Sequence, residues 1–143
     1  MAGTLGTNIV IQVAFVVNDI EVTKKKFAEF LGLPVPDHFA TNKSPDNFVD
    51  GQPAPDVSAF LAFLEVGPNL AIELIQPNSA KSTWRDVLNE KGEGFHHIAF
   101  KVDDIDKRIE ICEKAGMKCL QHGKGYAYID GLQDLKSIIE LLP

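Results

Sequence analysis

Glu73 and Glu140 stand where carboxylates are costly. Glu73 lies inside the run Leu70-Ala-Ile-Glu-Leu-Ile75, and Glu140 inside Ile138-Ile-Glu-Leu-Leu142. A carboxylate in such β-rich, apolar surroundings is unfavourable to bury without a partner. Either one alone reads as a strand carboxylate at a solvated edge. Together, one in the last strand of each half of the chain, they suggest a shared cation. Two further polar residues, Gln12 and His97, open matching β-rich segments, and each has a small residue two positions on, Ala14 and Ala99. Alternate residues of a strand share a face. If Gln12 faces a cleft, so do Ala14 and Val16, and the corresponding set in the second half is His97, Ala99 and Lys101. Small neighbours leave room for a ligand.

Those two segments reveal a repeat. Gln12-VAFVVNDIE-Val22 matches His97-IAFKVDDID-Lys107 at an offset of 85 residues (97 − 12). Each is a strand pattern followed by an aspartate, Asp19 or Asp104, placed to cap a helix. Glu21 and Asp106 follow in the first turn, where the helix dipole favours acids. In the first helix Ile20, Phe27, Phe30 and Leu31 are expected to pack, with Lys24, Lys25 and Lys26 largely in solvent. In the second, Ile105, Ile109 and Cys112 recur at helical spacing. Gly32 and Gly116 stand where helix-ending glycines belong.

The rest of each half reads as strands: residues 57–66 and 70–75 around a Gly67-Pro-Asn turn, then 117–120, 126–129 and 137–142. A capping-box pattern at Ser82 to Asp86, ending at Gly92, predicts one connecting helix. Residues 34–55, rich in Pro, Asn, Asp and Gly, are expected to form a long functional or mobile loop. The fold class that results is α+β: two tandem βαβββ modules, residues 8–78 and 95–143, joined by a linker helix over 79–94. They form one compact domain with a curved mixed sheet around one cleft.

Composition bounds the function. With 143 residues, 45% hydrophobic and 24% charged, the chain is in the ordinary globular range. A net charge of −6 argues against nucleic acid. No apolar run reaches the roughly 18 residues a spanning helix needs, and Met1 to Thr7 carries no charged leader or apolar core. Cys112 and Cys119 are expected to be buried free thiols rather than a disulfide framework. The expectation is a soluble, cytoplasmic protein.

The segment Gly92-Glu-Gly-Phe-His-His-Ile-Ala-Phe100, followed by Lys101-Val-Asp-Asp-Ile105, closely resembles the methylmalonyl-CoA epimerase branch of the vicinal oxygen chelate (glyoxalase, bleomycin-resistance) superfamily. The resemblance runs from Ile9 to Leu142 and is weakest between Pro34 and Pro55. It implies metal ligands at Gln12, Glu73, His97 and Glu140. Epimerases usually have a histidine where this chain has Gln12, so the set looks more like that of some glyoxalase I enzymes. The epimerases' second acid before a Gly-Val, and their His-Pro near the C-terminus, have no counterpart here. Read without the family, His97 could be a core histidine, and a register slip of one residue would turn His96 inward instead.

One imidazole, two carboxylates and an amide oxygen suit a divalent metal such as Zn²⁺, Co²⁺, Ni²⁺ or Mn²⁺. The implied activity is that of a metal-dependent isomerase or lyase, moving an α-proton through a metal-stabilised enolate or enediolate. The resemblance to glyoxalase I makes Glu140 the candidate base. Two other readings stay open: a metal-free binding protein of the bleomycin-resistance type, and an extradiol-type dioxygenase, which a single histidine among the ligands disfavours. A small-molecule substrate is expected, and the resemblance implies a homodimer. If the substrate is glutathione-like, the basic residues on offer for its carboxylates are Lys101 and Lys124. Tyr126 and Tyr128 share a strand face and either line the pocket or pack. His38 and His122 fall in or near loops.

Overall fold

The computed structural model describes residues 3–143. Its elements are β1 (Val10–Val16), α1 (Ile20–Leu31), β2 (His38–Ala40), β3 (Phe48–Val49), β4 (Gln52–Pro53), β5 (Ala59–Gly67) and β6 (Leu70–Pro77). The connecting helix α2 (Thr83–Lys91) follows. The second half holds β7 (Gly94–Lys101), α3 (Ile105–Lys114), β8 (Cys119–Gly123), β9 (Tyr126–Gly131), α4 (Leu132–Leu135) and β10 (Ser137–Leu142). The predicted strand at 117–120 begins two residues later than its hydrophobic pattern suggests, and the short α4 was not foreseen.

All ten strands join one curved, unclosed mixed sheet in the order β2-β5-β6-β1-β7-β10-β9-β8-β3-β4. The repeat is visible in that order. Read outward from the antiparallel β1–β7 seam, β1-β6-β5-β2 on one side mirrors β7-β10-β9-β8 on the other. Matching sequence gives matching caps: Asp19 Oδ1 accepts the Val22 N–H at 3.2 Å, and Asp104 Oδ1 accepts the Lys107 N–H at 3.1 Å. Ser82 caps α2 through the Arg85 N–H at 2.9 Å. Period-2 alternation then sorts the sheet's faces. Ala62, Leu64 and Leu74 pack with Ile20 and Ala28 of α1, and Ala127, Ile129, Ile139 and Leu141 pack with Cys112 of α3. The opposite face carries Ala14, Val16, Trp84, Tyr128 and Ile138. Cys112 and Cys119 are both free, the first buried and the second half-buried.

Two expectations about α1 are corrected. Ile20 and Phe27 pack as expected, but Phe30 is 85% exposed and Leu31 is also exposed, and the buried stripe is Ile20, Lys24 and Ala28, spaced by four. Lys24 is therefore buried rather than solvated. Its Nζ lies 3.0 Å from His38 Nδ1 and 3.2 Å from Glu21 Oε2, so its charge is matched under the covering β2 strand. His38 belongs to that cluster, and His122 stacks on Phe48.

The segment 34–55 is corrected as well. It is not a structureless loop, because β2 pairs with β5 while β3 pairs with β8, matching Phe48 to His122 and Val49 to Gln121. Ala40 and Phe48 thus attach to strands from opposite sides of the sheet, although only about 28 Å of extended chain can separate them. The sheet must curl until its sides approach, and residues 41–47 form a strap across the opening. A chain of hydrogen bonds, part-buried at the strap and buried at Gln121, ties the strap down. Tyr126 Oη donates to Asn47 Oδ1 at 3.1 Å, Gln121 Nε2 donates to Tyr126 Oη at 3.1 Å, and Gln121 Oε1 accepts the Thr83 N–H at 2.9 Å. Gln121→Leu leaves that N–H without a partner, so urea denaturation should show a loss of about 1–3 kcal/mol. Among the described residues no helix is long and apolar enough to cross a membrane.

Candidate metal centre

Sheet register places the chemistry-bearing residues in two adjacent rows. One row runs Phe63, Glu73, Ala14, His97, Ile138 across β5, β6, β1, β7 and β10. The next runs Ala71, Gln12, Ala99, Glu140, Tyr128 across β6, β1, β7, β10 and β9. Ala14 separates Glu73 from His97, and Ala99 separates Gln12 from Glu140. The two rows are related across the β1–β7 seam, which is the structural image of the repeat. An alanine between each pair leaves space above the sheet into which the longer side chains lean.

They converge there. Ligand atoms of Glu73, His97 and Glu140 all lie within 4.8 Å of one another. His97 Nε2 is 2.7 Å from Glu140 Oε2 and 3.4 Å from Glu73 Oε1. Neighbouring donors on one divalent ion, each about 2.1 Å from it, are spaced by roughly 3 Å. The short His97–Glu140 contact is not aligned as a hydrogen bond, so both of its atoms count as unpartnered. Among the described residues, the buried side-chain atoms without a hydrogen-bond partner are Gln12 Oε1, Glu73 Oε1, His97 Nε2, Glu140 Oε2 and His96 Nε2. Native proteins rarely leave such atoms unmatched, and each one calls for an explanation such as an ion. The first four belong to the four residues expected to be ligands. This donor set fits a divalent cation.

Electrostatics agree with that fit. Burial pushes the Glu140 carboxyl up to about 8, partly countered by the Tyr128 hydroxyl. Burial and the neighbouring Glu140 charge also raise Glu73 well above the usual carboxylate range. Burial lowers His97 to about 3, and burial together with His97 lowers His96 to about 3. At the 2.7 Å His97–Glu140 contact, burial favours the neutral form of both partners. A cation then displaces protons from the carboxyls. Metal uptake at pH 7 should release between about one and two protons per ion, read by calorimetry in buffers of different ionisation enthalpy. Uptake without proton release would contradict the site.

His96 and His97 would face opposite ways in a regular strand. A bulge changes that: Ala14 pairs with His97 and Phe15 with Phe95, so His96 is the extra residue. Both rings turn inward, with Nδ1 atoms 2.7 Å apart. One nitrogen must donate. If His97 Nδ1 does, its Nε2 lone pair is left facing the carboxylates, the tautomer a ligand needs. The Thr83 carbonyl lies toward His96 but falls short of hydrogen-bond alignment. His96→Phe should weaken metal binding about 10- to 100-fold by competition titration.

A cleft of about 520 Å³ opens over these rows. Gln12, Glu73 and Glu140 border it, and His97 is fully buried behind them. Its walls include Phe63, Trp84, Tyr126 and Tyr128. Tyr128 is buried, accepts a hydrogen bond from Trp84 Nε1 at 2.9 Å, and stands opposite Glu140 in the β9–β10 register. The shared face of Tyr126 and Tyr128 was legible in the sequence; the role of Trp84 on the connecting helix was not. Lys124 reaches the cleft, whereas Lys101 is exposed at the end of β7 and lies outside it. Lys43 and Asn47 line the cleft from the strap and carried no sequence signal.

The family model for the glyoxalase/bleomycin resistance protein/dioxygenase superfamily matches residues 11–132. Among solved structures, the methylmalonyl-CoA epimerase of Mycobacterium tuberculosis is similar over 93% of this chain and 85% of that one, with 20% identity and a TM-score of 0.67. A hypothetical protein from Bacillus halodurans is similar over 95% and 94%, with 22% identity and a TM-score of 0.66. A variant of the Streptomyces coelicolor methylmalonyl-CoA epimerase, in complex with 2-nitronate-propionyl-CoA, is similar over 94% and 93%, with 18% identity and a TM-score of 0.68. No curated protein sequence matches the chain. At these identities the structural likeness speaks to the fold.

Proposed function

The chain belongs to the glyoxalase/bleomycin resistance protein/dioxygenase superfamily, and from that premise we propose a metal-dependent isomerase or lyase that moves a proton α to a carbonyl. The observation that carries this reading is the set of four buried, unpartnered donor atoms on Gln12, Glu73, His97 and Glu140. A divalent ion held there supplies Lewis acidity toward two neighbouring oxygens of a substrate.

The remaining steps belong to the chain's own residues. Glu140 borders the cleft, and with an ion bound its carboxyl is deprotonated, so it is the carboxylate placed to take the α-proton and return it. Gln12 and Glu73 fix the opposite side of the site. Tyr128 stays protonated, because burial and the two carboxylates raise its pKa well above the ordinary value. Its hydroxyl accepts from Trp84 Nε1 and keeps a proton to offer an ionised Glu140. Phe63, Trp84 and Tyr126 exclude water from the reacting carbon.

A metal-free binding protein has no reason to keep four unmatched donors under a cleft, and a dioxygenase reading meets only one histidine among them. The solved epimerases bind CoA esters, so methylmalonyl-CoA is a natural first probe, with a thiohemiacetal of glutathione as the second. Incubation with each in D₂O and added Zn²⁺, Co²⁺, Ni²⁺ or Mn²⁺, followed by NMR, should show metal-dependent loss of the α-proton signal for one substrate class. Saturable binding with no exchange under any metal would turn the reading toward sequestration.

A further inference from the structure

Two lysines line the cleft. Lys43 sits on the strap between β2 and β3, and Lys124 on the two-residue turn between β8 and β9, where Gly125 takes φ 81°. Both are exposed. Six lysines, Lys43, Lys91, Lys101, Lys107, Lys124 and Lys136, have no carboxylate within 4.0 Å among the described residues, and of these Lys43 and Lys124 are the two that border the cleft. The acids that border the cleft are Glu73 and Glu140, which belong to the candidate metal centre. A divalent ion there cancels those two charges, and the lysines then leave the cleft with a net charge of about +2. Leu61, Phe63, Trp84 and Leu142 give the same cleft apolar walls.

The geometry points to a dianionic substrate: two neighbouring oxygens at the metal end, an apolar body, and a distal carboxylate or phosphate held by Lys43 and Lys124. This inference rests on the reading of the cleft as a metal site. Low-dielectric walls strengthen a paired charge at the rim, and exposure to salt weakens it. The lysines therefore select among substrates rather than take part in proton transfer.

The test compares 2-oxo acids of matched length in the Co²⁺-loaded protein. 2-Oxoadipate and 2-oxosuberate carry a distal carboxylate; 2-oxohexanoate and 2-oxooctanoate end in methyl. At least one diacid should bind about tenfold tighter than its monoacid at low salt. That preference should shrink at high salt and vanish in Lys43→Met/Lys124→Met, with the diacid losing more affinity than its monoacid and the melting temperature unchanged. Lys101→Met should behave as wild type. A wild type that binds metal but does not prefer either diacid, or a preference that survives in the double variant, overturns the inference. A lysine-dependent preference that persists without any metal uptake supports the anion site and instead sinks the metal reading. Repeating the comparison with a phosphorylated 2-oxo acid distinguishes the two distal groups.

Discussion

Glu140→Gln should slow α-proton exchange by about 10²- to 10⁴-fold at saturating metal, the range expected when a positioned base is removed. Glutamine keeps the shape of the side chain and an oxygen for the ion, but it cannot take a proton. The fold should tolerate it well, because burial already holds Glu140 mostly protonated at neutral pH in the metal-free protein. Glu73→Gln is the control. It should weaken metal binding, yet recover most of the exchange rate once enough metal is added. Exchange followed by NMR in D₂O separates the two variants. Equal losses in both at saturating metal would remove Glu140 from the role of base.

A stability inversion is the second large effect. Two carboxyls buried side by side, with raised pKa values, oppose folding whenever the unfolded chain would ionise them. Their folded-state protons make the carboxyl contribution greatest below about pH 4.5 and reduce it as pH rises, for Glu140 up to about 8. His96 and His97 act in the opposite sense. Their folded values near 3 give stability that is present above about pH 6.5 and lost as pH falls. Between pH 6.5 and 8 the carboxyl contribution therefore stands alone. In that window metal-free Glu73→Gln should exceed wild type by about 1–3 kcal/mol in urea denaturation with chelator present. The difference should disappear near pH 4.5. Saturating metal should reverse the order, since binding at a thousandfold above Kd adds about 4 kcal/mol to the wild type. Loss of stability in the metal-free variant at pH 8 would mean that the protein already matches these carboxylates by itself.

Much of this was legible in the sequence because the signals were local and repeated. The 85-residue echo of Gln12-VAFVV in His97-IAFKV fixed the two central strands, and the aspartates after them fixed two helix starts. A glutamate inside an apolar strand is conspicuous wherever it lies. The sequence alone left open which of His96 and His97 turns inward, because a bulge breaks the period on which the question depends. The strap was illegible for a different reason. β3 and β4 are two residues each, too short for any alternation, and β3 pairs with β8 some 70 residues later in the chain. Lys43 could not be placed without that pairing. The burial of Lys24 has no signal in the helix pattern because its partner His38 lies on β2. Phe30 was misread because apolar spacing alone does not show how narrow a stripe the helix buries.

The most direct test is elemental analysis of tag-free protein beside a Glu73→Ala/Glu140→Ala variant, each purified and then incubated with Zn²⁺, Co²⁺, Ni²⁺ and Mn²⁺. The account predicts close to one divalent ion per wild-type chain and none in the variant. A wild type that takes up none of the four metals, or a variant that binds as much as wild type, would contradict it.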